Sequence, residues 1–325
     1  MAGFNTCTER REQMESEPYL LPLHRRAGRS LFSILSERRY AGYVFLAPAL
    51  IYLIAFSVYP LLYSVNVSLR QYILSKPYLG MPWVGLENFW RVLSDSHFHY
   101  SLAATLYFTV AAVSIELLLG LGIALLLNRP ILGVGIIRTI VVIPMMIAPV
   151  VVGLSWKYML DFDTGVLNYF IRQLGIQPPN WLGDAKAVIP ALVITDVWEW
   201  TPLFVLLLLA GLQAMPQEPF EAAKVDGASS WQSFVHLTLP FLRPFILIAL
   251  LLRVIDSLRT FDIPFVMTAG GPGRATEFAS LYAYRQAFSY YYVSVGIAAA
   301  FIILIVITLL SNLLVRALPM QEVEE

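Results

Sequence analysis

Apolar residues fall into six long blocks, at about 41–65, 102–127, 131–155, 187–212, 241–263 and 293–316, separated by segments that carry charge, proline and glycine. Each block holds the ~20 residues that a helix needs to cross ~30 Å of hydrocarbon. At that depth no water bonds to the backbone, so the chain must pair its own N–H and C=O groups in a helix or a closed barrel. The alternation of barrel strands is absent. The pattern predicts an all-α membrane protein with six transmembrane helices and no repeat of solenoid length.

Composition supports that reading. Of 325 residues, 58% are hydrophobic and 14% charged, whereas a soluble domain carries about 25% charge. The length would allow two or three soluble domains, but a mean hydropathy of +0.67 favours one membrane bundle and excludes a disordered chain. Lys plus Arg (22) balances Asp plus Glu (22), leaving no basic field for nucleic acid. A single cysteine, Cys7, excludes an internal disulfide framework and a thiolate-rich metal site.

Three segments follow from the blocks: a polar tail over 1–40, a membrane region over 41–316 and a short tail over 317–325. Arg10, Arg11, Arg25, Arg26, Arg29, Arg38 and Arg39 make the first tail the densest basic cluster, which the positive-inside rule keeps in the cytoplasm. Interspersed Glu9, Glu12, Glu15, Glu17 and Glu37 argue against a nucleic-acid patch. The first block exceeds a signal-peptide core and lacks a small-residue cleavage pattern, so it is expected to stay as an anchor. Six crossings return Arg316 to the cytoplasmic side. Loops near 66–101, 156–186 and 264–292 then lie outside, and the Arg129–Arg138 turn and segment 213–240 lie inside.

Segment 213–240 is too polar to span and too patterned for a slack loop. Pro216 and Pro219 set up a helix start at Phe220–Glu221, and Gly227 can take the left-handed conformation that ends it. An amphipathic turn with Trp231, Phe234 and Val235 follows, and Pro240 is expected to open the fifth membrane helix. Small Ala222 and Ala223 let a partner approach closely, while Glu221 offers it a charge. The predicted object is a knob of two short helices joined by a glycine elbow.

The run Glu221-Ala222-Ala223, then Gly227, then Leu237-Thr238-Leu239-Pro240 resembles the EAA loop of binding-protein-dependent ABC importer permeases, with Leu237 in place of the family's isoleucine. Trp198–Pro202 (WEWTP) and Phe261–Thr276 (FDIPFVMTAGGPGRAT) are similar to the carbohydrate-uptake branch, the relatives of the maltose and glycerol-phosphate permeases. The likeness runs from about Tyr43 to Arg316. It implies the type I importer permease fold in a bacterial cytoplasmic membrane, and an ATPase-coupling role for Glu221, Ala222, Ala223, Asp226, Gly227 and Pro240. It also implies three protein partners: ATPase subunits, a second homologous permease and an external solute-binding protein. One departure is Ala104-Thr105, where relatives often carry Asn-Thr, and no role is assigned there. The chain has no G-x-x-x-x-G-K-[ST] loop, so no cofactor is expected on it, and ATP with Mg would belong to the partner ATPase.

Polar residues interrupt two blocks. The fourth holds Thr195, Asp196, Trp198, Glu199, Trp200 and Thr201; the fifth holds Arg253, Asp256, Ser257, Arg259, Thr260 and Asp262. A charge in mid-membrane costs ~2.5–3.5 kcal/mol on insertion scales, so these residues should face protein or water. Asp196 and Asp262 are expected near the outer surface. Arg253, Asp256, Arg259 and Asp262 alternate in sign every three residues, a spacing at which neighbours can pair. Pathway contact and structural pairing are both open readings. Arg253, Ser257 and Thr260 share i, i+4, i+7 spacing and one predicted stripe. The resemblance to the maltose relatives implies that this stripe, with Glu199, Trp200 and Leu203, lines a cavity for a sugar or polyol.

Other signals point elsewhere. His97 and His99 lack further ligands for a metal site, His236 is expected to pack or cap, and Tyr290–Tyr292 suit an interfacial belt. A proton-coupled secondary transporter, with Glu199 or Asp256 as relay, is the alternative function; it leaves the EAA-like loop without a purpose. An integral-membrane enzyme lacks a supporting motif such as H-E-x-x-H or G-x-S-x-G.

Overall fold

The structure, a computed structural model, describes residues 38–130 and 132–317. The basic tail, Cys7 and the end of the C-terminal tail lie outside the described residues, as do the side chains of Arg38 and Arg39. Contacts divide the chain into two units at Leu62 and Tyr63. In the first, helix begins at Arg38 and enters a first candidate span, α1 (Phe45–Ser68), which ends beyond that division; its large apolar side chains from Phe45 to Leu62 are exposed.

In the second unit the elements follow in order as α2 (Glu87–Leu93), α3 (Ser96–Leu127), α4 (Val134–Met146), α5 (Pro149–Met159) and α6 (Val166–Gln173). Then come α7 (Val188–Gln213), α8 (Glu218–Val225), α9 (Ser230–Leu258), α10 (Asp262–Thr268), α11 (Ala279–Tyr284) and α12 (Val293–Ala317). Among the described residues the only β pairing is two isolated bridges, Arg70 with Trp83 and Ile73 with Tyr292. Helices α1, α3, α7, α9 and α12 are each long and apolar enough to cross a membrane.

The third predicted span takes a different form. Its helix breaks between Met146 and Pro149, and α4 and α5 meet at 95°. Pro149 forces the preceding residue out of the helical region: Ala148 sits at ψ 135° and Ile147 at ψ 139°. The count is therefore five continuous spans, or six if the bent pair counts as one.

Helices α3 and α7 form the centre, and α7 is the most enclosed span. Their approach depends on Gly120: a Cβ there would stand 2.3 Å from the Cβ of Phe204, the small-residue contact by which membrane helices come close. One apolar cluster gathers Phe108, Ala112, Leu192 and Val197 with Ile263 and Met267 of α10. A second gathers Ala124, Phe204, Leu208 and Leu212 with Leu242 and Ala249 of α9. A third packs α12 against Val92, Phe98 and Tyr282. The Tyr282 hydroxyl donates to Asp95 Oδ2 at 2.7 Å; burial and that carboxylate push the phenol above its ordinary range. Asp95 also caps α3 through the His97 N–H.

Candidate functional site

Two places carry the sequence-predicted residues. The first is the joint between α7 and α9. Helix α8 starts at Glu218, two residues before the expected start, because Pro219 fits the first turn, where its missing N–H is no loss. Phe220 packs on the second apolar cluster and fixes the inner face of α8. Glu221, Ala222 and Asp226 are exposed, and Ala223 is half-buried.

Asp226 is the C-cap of α8, and Gly227 has φ +80°. There the Gly227 N–H donates to Lys224 O at 3.2 Å and the Ala228 N–H to Ala223 O at 2.9 Å. These bonds close a Schellman turn. Ser229 then caps the next helix in a reciprocal box with Gln232. The elbow leaves an open cleft of about 380 Å³ between the helices, bordered by Ala223, Gly227, Gln232 and His236. The His236 ring bonds to Gln232 O at 3.0 Å.

Pro240 does not open the fifth membrane helix, contrary to expectation. The helix begins at the Ser229 cap and runs unbroken to Leu258. A turn of wider i→i+5 pairing over Phe234–Thr238 lies just before Pro240, and the wider turn makes room for the proline ring within the helix. Segment 230–239 is thus the lower part of α9, and α8 is rigidly tied to a membrane helix through one elbow.

The second place is a buried charged layer at the junction of the first two apolar clusters. Arg253 on α9 is 1% exposed. Its Nε donates to Glu116 Oε2 at 2.8 Å and its Nη2 to Glu116 Oε1 at 2.9 Å, a bidentate pair across to α3. The same Nη2 donates to Asp196 Oδ2 on α7 at 2.6 Å, and Nη1 to Asp256 Oδ2 at 3.0 Å. Arg259 closes the chain on Asp256 Oδ1 at 3.1 Å. The Trp200 ring lies 4.8 Å from the guanidinium, within cation–π range. Nearby, Ser257 donates to Thr109 Oγ1 of α3 at 3.0 Å.

This arrangement corrects several expectations. Asp196 is buried on Arg253 rather than near the outer surface. Alternating signs do pair along the helix at 253, 256 and 259, but Asp262 is exposed at the start of α10. Thr260 leaves the predicted stripe, since α9 ends at Leu258 and Thr260 is half-buried in the turn beyond. Arg253 and Ser257 share a face directed at α3 and hold protein groups. Leu203 and Trp200 are half-buried. Glu199 is 1% exposed, and its Oε2 has no hydrogen-bond partner.

Sequence reasoning missed Glu116 and Thr109. The signal was present for one of them: Glu116 is the sole Asp, Glu, Lys or Arg in the 32 residues of α3. An isolated charge in an apolar span requires a partner. Thr109 gave none, because a threonine can satisfy itself on the preceding turn.

A bundle of long apolar helices, with a polar two-helix joint at one end and a buried charged layer within, is that of a polytopic transport permease. The chain matches the family of binding-protein-dependent transport system inner membrane components over residues 116–319 and belongs to it. It is thus a permease subunit of an ABC importer, whose ATPase is a separate subunit. It is 42% identical over 271 residues to the trehalose/maltose transport system permease protein MalF of Thermococcus litoralis, covering 83% of this chain and 90% of that one. It is 36% identical over 282 residues to the trehalose transport system permease protein SugA of Mycobacterium tuberculosis, covering 83% and 86%. Among solved structures, a bacterial ABC transporter that imports the acidic polysaccharide alginate shares the fold, with a TM-score of 0.75 and 22% identity over 89% of this chain and 99% of that chain.

Proposed function

We propose that this permease carries a sugar, oligosaccharide or polyol inward by alternating access, and that the α8 elbow receives the stroke of the ATPase. The observation that carries the coupling role is the rigid joint: exposed Glu221, Ala222 and Asp226 sit on a short helix tied through Gly227 to α9. A push on α8 therefore reaches a membrane helix without a slack linker. Pro240 and the wide turn before it continue that rod into the membrane. ATP and Mg are bound by the partner ATPase and none by this chain.

The sugar class is supported by the trehalose and maltose relatives. Such a solute needs a flat apolar face and several hydroxyl partners. Trp200, Leu203 and Thr260 are the candidates for that contact, with buried Glu199, Arg253 and Ser257 holding the wall behind them. A second homologous permease completes the cavity, and a solute-binding protein delivers from outside. Both termini lie in the cytoplasm, on the side of the α8 joint.

Uptake of labelled trehalose or maltose into proteoliposomes, by the complex purified from its host, tests this reading. Uptake is expected with binding protein outside and ATP inside, and is expected to vanish in Glu221→Lys. Uptake driven by a pH gradient without ATP would replace the proposal with a proton-coupled transporter.

A further inference from the structure

The charged layer holds more carboxylates than its central cation engages. Asp196 and Glu199 stand one turn apart on α7, about 4.5 Å along the axis. In this structure Arg253 holds Asp196, while Glu199, just as buried, leaves Oε2 unpartnered. The Arg253 guanidinium keeps a donor in reserve: Nη1 carries two N–H groups and makes one bond, to Asp256. Trp200, the residue after Glu199, lies against the guanidinium and offers a surface along which that planar group can move.

We propose that Arg253 exchanges Asp196 for Glu199 when the permease passes between its two access states. Glu199 is then a positioning residue for the state opposite to the one observed. The exchange rests on the alternating-access reading above. Its logic is one of balance. Pairing Glu199 leaves Asp196 unpaired, so each state contains one satisfied and one unsatisfied carboxylate on α7. The count balances when α3 moves with α9, because Arg253 then keeps its bidentate pair with Glu116; two arrangements with equal numbers of buried ion pairs lie close in free energy, as a reversible two-state element requires. A shift of up to one helical turn of α9 along α7 accomplishes it, a step of ~5.4 Å seen in other ratcheting interfaces. Asp256 travels with α9, being three residues from Arg253 on the same helix.

The test uses the whole importer in lipid nanodiscs, with spin labels on Lys186→Cys and Arg243→Cys in a Cys7→Ser background. Both labelled positions are exposed, ahead of α7 and midway along α9, so an axial slide changes their separation. Wild type is expected to show two distances whose ratio responds to ATP with vanadate. Asp196→Asn is expected to move the ratio away from the distance this structure gives, and Glu199→Gln towards it. Each shift is expected to be on the order of tenfold, the consequence of neutralising one buried ion-pair partner. Glu199→Asp, which keeps the charge, is expected to restore the wild-type response.

Shifts in the same direction, or unchanged ratios in both variants, would overturn the exchange, because a purely structural role predicts no opposite sign. If Asp196→Asn does not assemble, Glu199→Gln against Glu199→Asp still decides. A single wild-type distance insensitive to nucleotide would instead remove the alternating-access reading itself.

Discussion

The α8 joint and the charged layer solve opposite problems. The joint is exposed, local and built almost entirely from consecutive residues: Pro219 starts it, Gly227 ends it and Ser229 begins the next helix. Its shape comes from backbone chemistry, and its outward side chains make few contacts within the chain. The charged layer is buried and non-local, joining Glu116, Asp196 and Arg253 from three helices that are 57 to 137 residues apart. Substituting any one member strands the others, because each buried charge depends on its partners. A surface that docks a partner must be shaped without being consumed by internal bonds. A layer that fixes helices must be consumed by them.

That contrast yields predictions ordered by their effect on stability. Arg253→Ala strands Glu116 and Asp196 in an apolar core, and breaking such a pair costs about 3–5 kcal/mol. Loss of most of the folded protein, read by thermal unfolding in detergent, is expected; an unchanged midpoint would show the layer to be hydrated. Gly227→Ala meets no neighbour within 4 Å of its Cβ, so only the positive φ opposes it, at ~1–2 kcal/mol. The expected result is an assembled permease with weakened ATP-dependent uptake.

Ser229→Ala removes one half of the capping box, about 1 kcal/mol. Faster amide exchange confined to residues 230–234 is the expected reading, with the span above unaffected. Glu221→Lys, at an exposed position, is expected to change stability by less than ~0.5 kcal/mol and yet to abolish coupled uptake. It is the sharpest of the set. If Glu221→Lys unfolded the protein, or Arg253→Ala left it intact, the division between a docking surface and a structural layer would fall.

Much of the joint was legible in the sequence because its causes are local. Gly227 after Asp226 and proline in a first turn each carry their geometry with them, whereas the Ser229–Gln232 capping box was found only in the structure. Pro240 was misread for a related reason. Proline favours the first turn of a helix, but the wider turn at Phe234–Thr238 lets the preceding residues join the same rod. The third span shows the reverse: its hydropathy is continuous, and the bend at Ile147–Ala148 follows from Pro149.

By itself the sequence determined that the chain is an all-α membrane protein with about six apolar crossings, and that one polar segment between two of them is a joint of short helices with a glycine elbow. Hydrophobic length and backbone chemistry act over a few turns, so neighbours in the chain suffice to state them. Only the tertiary structure decided which charges meet. Glu116 carries no sign of Arg253 in its own surroundings, Asp196 looks equally suited to the outer surface, and Thr260 continues a helical stripe that has in fact ended. Pairing across helices depends on their rotation and relative depth. These are set by the packing of α3, α7 and α9, with Gly120 against Phe204 among the contacts, and no short stretch of sequence contains them.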